Sequence, residues 1–136
     1  MRLLATYFSA LVLFMVMDLA WIGYIAKNFY QKNLGSLLAT NPNWIAAAVF
    51  YLIFITGILA FVVLPAVEKG SLWQAIALGA FFGLVTYGTY DLTNHATLKN
   101  WPAIVTGVDM LWGAFIVAVV SAVAYVVADL NFWMTK

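Results

Sequence analysis

Residues 44–66 read WIAAAVFYLIFITGILAFVVLPA, a run without a single charged side chain. At about 1.5 Å of rise per residue, a helix of that length matches the roughly 30 Å hydrocarbon core of a bilayer. A helix on the surface of a soluble protein keeps one polar face, and this run offers none. Working outward, three more runs are apolar enough to follow it, which gives spans of about 3–26, 44–66, 72–94 and 102–128. Strands of a transmembrane barrel would alternate apolar and polar residues over about ten positions, whereas these runs are apolar throughout. The expected fold is all-α, an integral membrane four-helix bundle, with residues 1–136 forming one four-span domain.

Composition agrees. Apolar residues make up 66% of the chain and charged ones 8%, against roughly 45–50% and 25% in an ordinary soluble domain. So few charges cannot keep a soluble surface wet. With six Lys or Arg and a net charge of +1, no basic patch is available for phosphates, which excludes a nucleic-acid partner. The absence of cysteine excludes disulfides and thiolate chemistry. The first apolar run is too long for a signal peptide and lacks a small-residue cleavage pattern, so it is expected to remain as a span.

An even number of spans puts both termini on one side, side A, with the first and third connections on side B. Arg2, Lys69 and Lys136 fall on side A, and Lys27, Lys32 and Lys99 on side B. With the count tied, the positive-inside rule favours neither orientation. Trp44, Trp73, Trp101 and Trp133 sit at span ends, as indoles anchoring at the interface do. In the long side B connection, Tyr30, Leu34, Leu37 and Leu38 recur at helical spacing. That pattern fits either a short helix in the headgroup plane or an irregular connector with a few apolar anchors.

Helices in lipid approach closely through small residues. Ala75, Gly79 and Gly83 form such a ladder on the third span, and Ala114, Ala118 and Ala122 form one on the fourth. The ladders either pack the third helix against the fourth or make a homodimer face, the first being favoured because sequential helices are usually neighbours.

An Asp deep in a membrane helix costs about 2.5–3.5 kcal/mol on insertion scales. Glu68 and Asp129 lie at span ends. Asp18, Asp91 and Asp109 do not, yet helix rise puts all three within about 12 Å of the side B face. Trp21 shares a helix face with Asp18, and Trp112 one with Asp109, each pair being three residues apart. Tyr87, Asp91 and His95 recur every four residues with Asn94 beside them, and Thr106 adds a polar edge to the fourth span. The candidate binding residues are therefore Asp18, Trp21, Tyr87, Asp91, Asn94, His95, Thr106, Asp109 and Trp112, lining a pocket that opens to side B beneath the first connection. The expected resting state is a protonated or cation-paired Asp91 beside an ionised Asp109, with Lys99 and His95 as the available cations. No dedicated cofactor is expected. Asp18, Asp91, His95 and Asp109 are weak candidates for a divalent metal, oxygen-rich enough for Mg, Ca or Mn, or for Zn through the histidine. The echo of Asp18-Leu-Ala-Trp21 in Asp109-Met-Leu-Trp112 fits two walls of one pocket better than an inverted repeat, because both lie at similar depth.

The set Asp18-x-x-Trp21, Thr89-Tyr90-Asp91-Leu92-Thr93-Asn94 and Asp109-x-x-Trp112-Gly113 resembles a family of small bacterial inner-membrane proteins described as a domain of unknown function. The resemblance covers nearly the whole chain and is most specific in Tyr-Asp-Leu-Thr-Asn. It implies a four-span, multi-pass protein of the bacterial inner membrane and carries no activity, cofactor or catalytic residue. Three functions stay open. The favoured one is binding or transport of a small cationic or amphipathic solute. The second is an enzyme acting on a lipid or isoprenoid, with one Asp as general acid and another as base or metal ligand. The third is an accessory or assembly subunit whose aspartates join helices. The expected partners are the bilayer, a lipid or small amphipathic ligand, and a second copy through the small-residue faces.

Overall fold

A computed structural model of the chain describes residues 2–35 and 37–133, with side chains placed for 3–35 and 37–130. The side chains of Arg2, Trp133 and Lys136, invoked above, lie outside the described residues. Among the described residues four helices are long and apolar enough to cross a membrane: Leu3–Ile25, Trp44–Glu68, Leu72–Thr97 and Ala103–Leu130. They are the first to fourth spans, and the reading of an all-α membrane bundle holds. The first span is α1 (Arg2–Ala20) extended by a π turn (Trp21–Ile25), and α2 (Lys27–Leu34) follows it. The second span is α3 (Trp44–Ile58), a π turn (Leu59–Val63) and α4 (Leu64–Glu68). The third is α5 (Leu72–Thr97), and the fourth lies within α6 (Ala103–Trp133).

Local chemistry sets these boundaries. The Asn43 side chain accepts from Ala46 N at 3.1 Å and caps α3, while Ser71 Oγ accepts from Gln74 N at 3.2 Å and caps α5. Gly70 (φ 61°) and Asn100 (φ 62°) take the left-handed conformation in the turns before the third and fourth spans. Pro65 lies inside the second span, where it can neither donate to the preceding turn nor pass close to its carbonyl. The π turn just before it answers both problems: the Leu64 N–H reaches back five residues to Leu59 O. Threonines within the third span are tolerated because their hydroxyls bond the helix itself, Thr86 to Phe82 O at 2.8 Å and Thr89 to Val85 O at 2.7 Å.

The first span buries a stripe of every fourth residue, Thr6, Ala10, Phe14 and Asp18. Phe14 joins Ile55, Ile58, Ile116, Val117 and Val120 in the core. Outward, Leu4, Phe8, Val12 and Val16 are exposed, the inside-out pattern of a helix whose outer solvent is lipid. Trp44 and Trp73 are 68% and 74% exposed, as interfacial anchors should be.

The third-span ladder packs inside the chain. A Cβ on Gly79 would sit 2.8 Å from Ser121 Oγ and 2.9 Å from Val117 O, and one on Gly83 would run into the Gly113 carbonyl. The opposing face on the fourth span is therefore Gly113, Val117 and Ser121. It is not the Ala114, Ala118 and Ala122 ladder, whose members are only half-buried. The expected register is off by one residue. Small size alone does not choose the face: Gly113 gives the closest approach, and its neighbours one turn apart follow. The third-span ladder is thus unavailable as a contact between copies.

The side B connection resolves into both expected forms in succession, a helix over Lys27–Leu34 and then irregular chain. Leu34 is buried and Tyr30 turns inward, so α2 lies against the bundle. The second span meets the first through α3 and the third chiefly through the π turn at Leu59–Val63. Toward side B the second and third spans diverge, and α2 lies over the resulting gap.

Candidate functional site

That gap is a cavity of about 750 Å³, within the range of small-molecule sites. All four spans and α2 contribute to it. Phe50 and Phe54 come from α3, Leu34 and Leu38 from the side B connection, and Thr86, Tyr87 and Tyr90 from α5. Asp18, Trp21, Asp109 and Trp112 form its polar and aromatic end. Lys27, Tyr30 and Gln31 of α2, Trp101 of the third connection, and Ile22 and Gly23 at the end of the first span complete the lining.

The polar end is a crossed pair of relays. Tyr51 OH donates to Asp18 Oδ2 at 2.7 Å. Tyr30 OH donates to Asp109 Oδ1, and Trp21 Nε1 donates to Tyr30 OH at 2.9 Å. The Trp21 and Trp112 rings are stacked, with centroids 4.3 Å apart and planes 7° from parallel. Trp112 lies beside the Asp18 carboxyl, but its Nε1 makes no hydrogen bond to any described residue. Trp21 therefore serves the aspartate of the other helix through Tyr30, whereas Trp112 only packs beside Asp18, and both D-x-x-W pairs lie on the wall of one cavity. The π turn that starts at Trp21 closes with Ala26 N bonded to Trp21 O at 2.7 Å. Its wider turn shifts the helix face just where the indole must reach Tyr30. Burial, reinforced by the Asp109 carboxyl, pushes the Tyr30 hydroxyl above the ordinary tyrosine range, so it remains a proton donor.

Of the nine candidate residues, the structure puts Asp18, Trp21, Tyr87, Asp109 and Trp112 on the cavity wall. Asp91 stands behind the wall, 0% exposed, with its carboxyl against that of Asp109. Asn94, His95 and Thr106 do not line the cavity. His95 Nδ1 faces Thr106 Oγ1 at 3.5 Å, and Trp101 Nε1 donates to the same oxygen at 3.1 Å. Trp101 is thus not only an interfacial anchor. Of the two expected states of Asp91, the cation-paired one does not form: among the described residues neither Lys99 nor His95 makes an ion pair with it. His95 lies in the last turn of α5, where its ring faces Thr106 of α6 and not the two acids. No set of three or more His, Asp or Glu is placed to hold a metal among the described residues.

Sequence reasoning missed Tyr51, Phe50 and Phe54, because an uncharged span reads as lipid-facing, and it took Tyr30 only as an apolar member of an amphipathic stripe. A tyrosine in the middle of such a run was the available signal, since its hydroxyl must find a partner in lipid.

Comparison with curated proteins and with solved structures finds no match. The family model described as "Predicted membrane protein (DUF2177)" matches residues 3–126, which include the first three spans and most of the fourth. The chain, a multi-pass helical membrane protein, belongs to the DUF2177 family.

Proposed function

We propose that the protein binds, and in binding translocates or presents, an amphipathic molecule bearing a cationic group. The observation that carries this reading is the cavity itself, whose wall joins the apolar Phe50, Phe54, Leu34 and Leu38 to the carboxyls of Asp18 and Asp109. A carboxylate with no cationic partner in a membrane-embedded site is costly, and a bound cation would relieve that cost. The stacked Trp21 and Trp112 rings, with Tyr87 beside them, add π faces suited to a quaternary or primary ammonium. The divergence of the second and third spans supports entry of the apolar part from the bilayer. The membrane we assign is a bacterial inner membrane. Continuous apolar helices suit it better than the barrel-bearing outer membrane, and the bacterial assignment rests on the sequence resemblance.

The test uses dodecyltrimethylammonium added to the protein in neutral lipid nanodiscs, with dodecyl sulfate as the anionic control and tryptophan fluorescence as the readout. Saturable binding of the ammonium probe is expected, weakened about tenfold or more by Asp109→Asn, the loss of roughly one 1.4 kcal/mol interaction. Equal binding of the sulfate, or indifference to Asp109→Asn, overturns the reading. The enzyme and accessory readings gain no comparable observation from the site.

A further inference from the structure

Of the three acids deep in the spans, Asp91 is the one that does not line the cavity, and its surroundings are unusual. The side chain is 0% exposed, and neither carboxyl oxygen accepts a hydrogen bond from any donor among the described residues. Two acceptor-only carboxylates in contact repel each other, and a buried charge without a donor is expensive. A single proton resolves both problems by turning one carboxyl into a donor to the other. The groups that face the pair come from every element around it. Asp109 belongs to the fourth span, and Tyr30 of α2 donates to it. Asp18 of the first span, held by Tyr51 of the second, lies within electrostatic reach of Asp109. On the third span itself, Tyr87 faces the cavity, while His95 is turned to Thr106. Lys27 of α2 lines the same cavity without an ion pair to either acid, and none of these groups donates to Asp91. The Tyr30 hydroxyl already satisfies Asp109 as an anion, which leaves Asp91 as the protonated member.

We infer that Asp91 and Asp109 form a one-proton site, with Asp91 carrying the proton behind the cavity wall and Asp109 presenting the resulting single negative charge to the cavity. Loss of that proton adds a second negative charge next to Asp109 and strengthens the hold on a cation. By linkage, a bound cation weakens the hold on the proton. Cation binding therefore tightens as pH rises through the titration of the pair. Asp91 is a positioning residue that acts through Asp109. This coupling rests on the cavity being a cation site, whereas the proton itself does not.

Two measurements separate the two claims. Infrared spectroscopy of the ligand-free protein near neutral pH, in H2O and D2O, reads the carbonyl stretch of protonated carboxyl groups. A deuterium-sensitive protonated band is expected in the native protein, absent in Asp91→Asn and retained in Asp18→Asn. No such band in the native chain overturns the inference, and so does a band that survives Asp91→Asn. Should Asp91→Asn fail to fold, Asp91→Glu is expected to keep the band at a shifted frequency, and an unshifted band overturns the assignment. The affinity for dodecyltrimethylammonium, whose charge does not titrate, is then measured against pH. The native protein is expected to tighten by up to tenfold per pH unit across the transition, and Asp91→Asn to be flat. An Asp91→Asn variant that keeps the native slope overturns the coupling. A protein that shows the band but binds no probe retains the proton site and loses only the functional reading.

Discussion

Replacing Tyr30 by Phe removes one hydroxyl and two hydrogen bonds, the one it gives to Asp109 and the one it takes from Trp21. Both former partners are then left without this bond in a site of low polarity. The expected cost is about 1–3 kcal/mol, read as a lowered midpoint of unfolding in mild detergent. A Tyr30→Phe protein as stable as the native one would mean that α2 is not tied to the bundle through this hydroxyl. The stacked indoles offer a spectroscopic check of the same end of the cavity. Two tryptophans 4.3 Å apart and nearly parallel should give an exciton couplet in circular dichroism. Trp21→Phe and Trp112→Phe should each abolish it, while Trp73→Phe, at an exposed interfacial position, should leave it intact. At this scale the sequence pointed to Asp18, Trp21, Asp109 and Trp112 because an Asp within a span and a deep Trp are anomalies in lipid. It could not say that Trp21 would reach past its own aspartate to Tyr30 and Asp109, since that depends on the crossing of two helices.

Among the elements, the third and fourth spans form the closest pair, and their register depends on glycine. Gly83→Ala forces a methyl group into the Gly113 carbonyl and should cost about 1–3 kcal/mol, the usual penalty of overpacking. Gly107 lies on the same fourth span with open space around its would-be Cβ. Gly107→Ala should therefore be neutral or gain roughly 0.5–1 kcal/mol from the better helix former. Equal effects of the two changes, measured side by side by unfolding in detergent, would refute this helix register. The contrast also shows what a small-residue pattern can convey. The pattern on the third span identified a packing face correctly. The matching pattern on the fourth picked Ala114, Ala118 and Ala122, one residue from the true face of Gly113, Val117 and Ser121, because alanine is small enough to pack and also apolar enough to face lipid. The π turns were less legible. The one before Pro65 has a local cause in the proline ring, but nothing around Trp21 announces the other.

For the whole molecule, the four spans fix which connections share a membrane face, and the absence of cysteine makes this directly measurable. Single Lys69→Cys and Asn100→Cys variants place a thiol in the turn before the third span and in the turn before the fourth. With a membrane-impermeant maleimide on sealed vesicles, the fractions labelled from outside should be complementary, whether the population inserts in one orientation or two. Fractions at the two positions that do not add up to the whole population would break the four-span topology. This scale also explains why most of the cavity escaped the sequence. Its lining comes from all four spans and α2, separated by up to 94 positions between Asp18 and Trp112. Phe50 and Phe54 look like any other lipid-facing aromatics until the second and third spans part.

By itself the sequence determined that this chain crosses a membrane four times, where each crossing begins and ends to within a few residues, and at which depth its acids lie. Those properties follow from hydropathy and helix rise, which are local and additive along the chain. Only the tertiary structure decided that Asp91 stands behind Asp109 rather than beside a lysine, that His95 turns away to Thr106, and that Tyr30 and Tyr51 supply the donors. Those choices depend on how helices rotate and diverge against one another. In lipid that rotation is set by close packing at a few small residues such as Gly83 and Gly113, not by burial of an apolar face, so hydropathy carries no record of it.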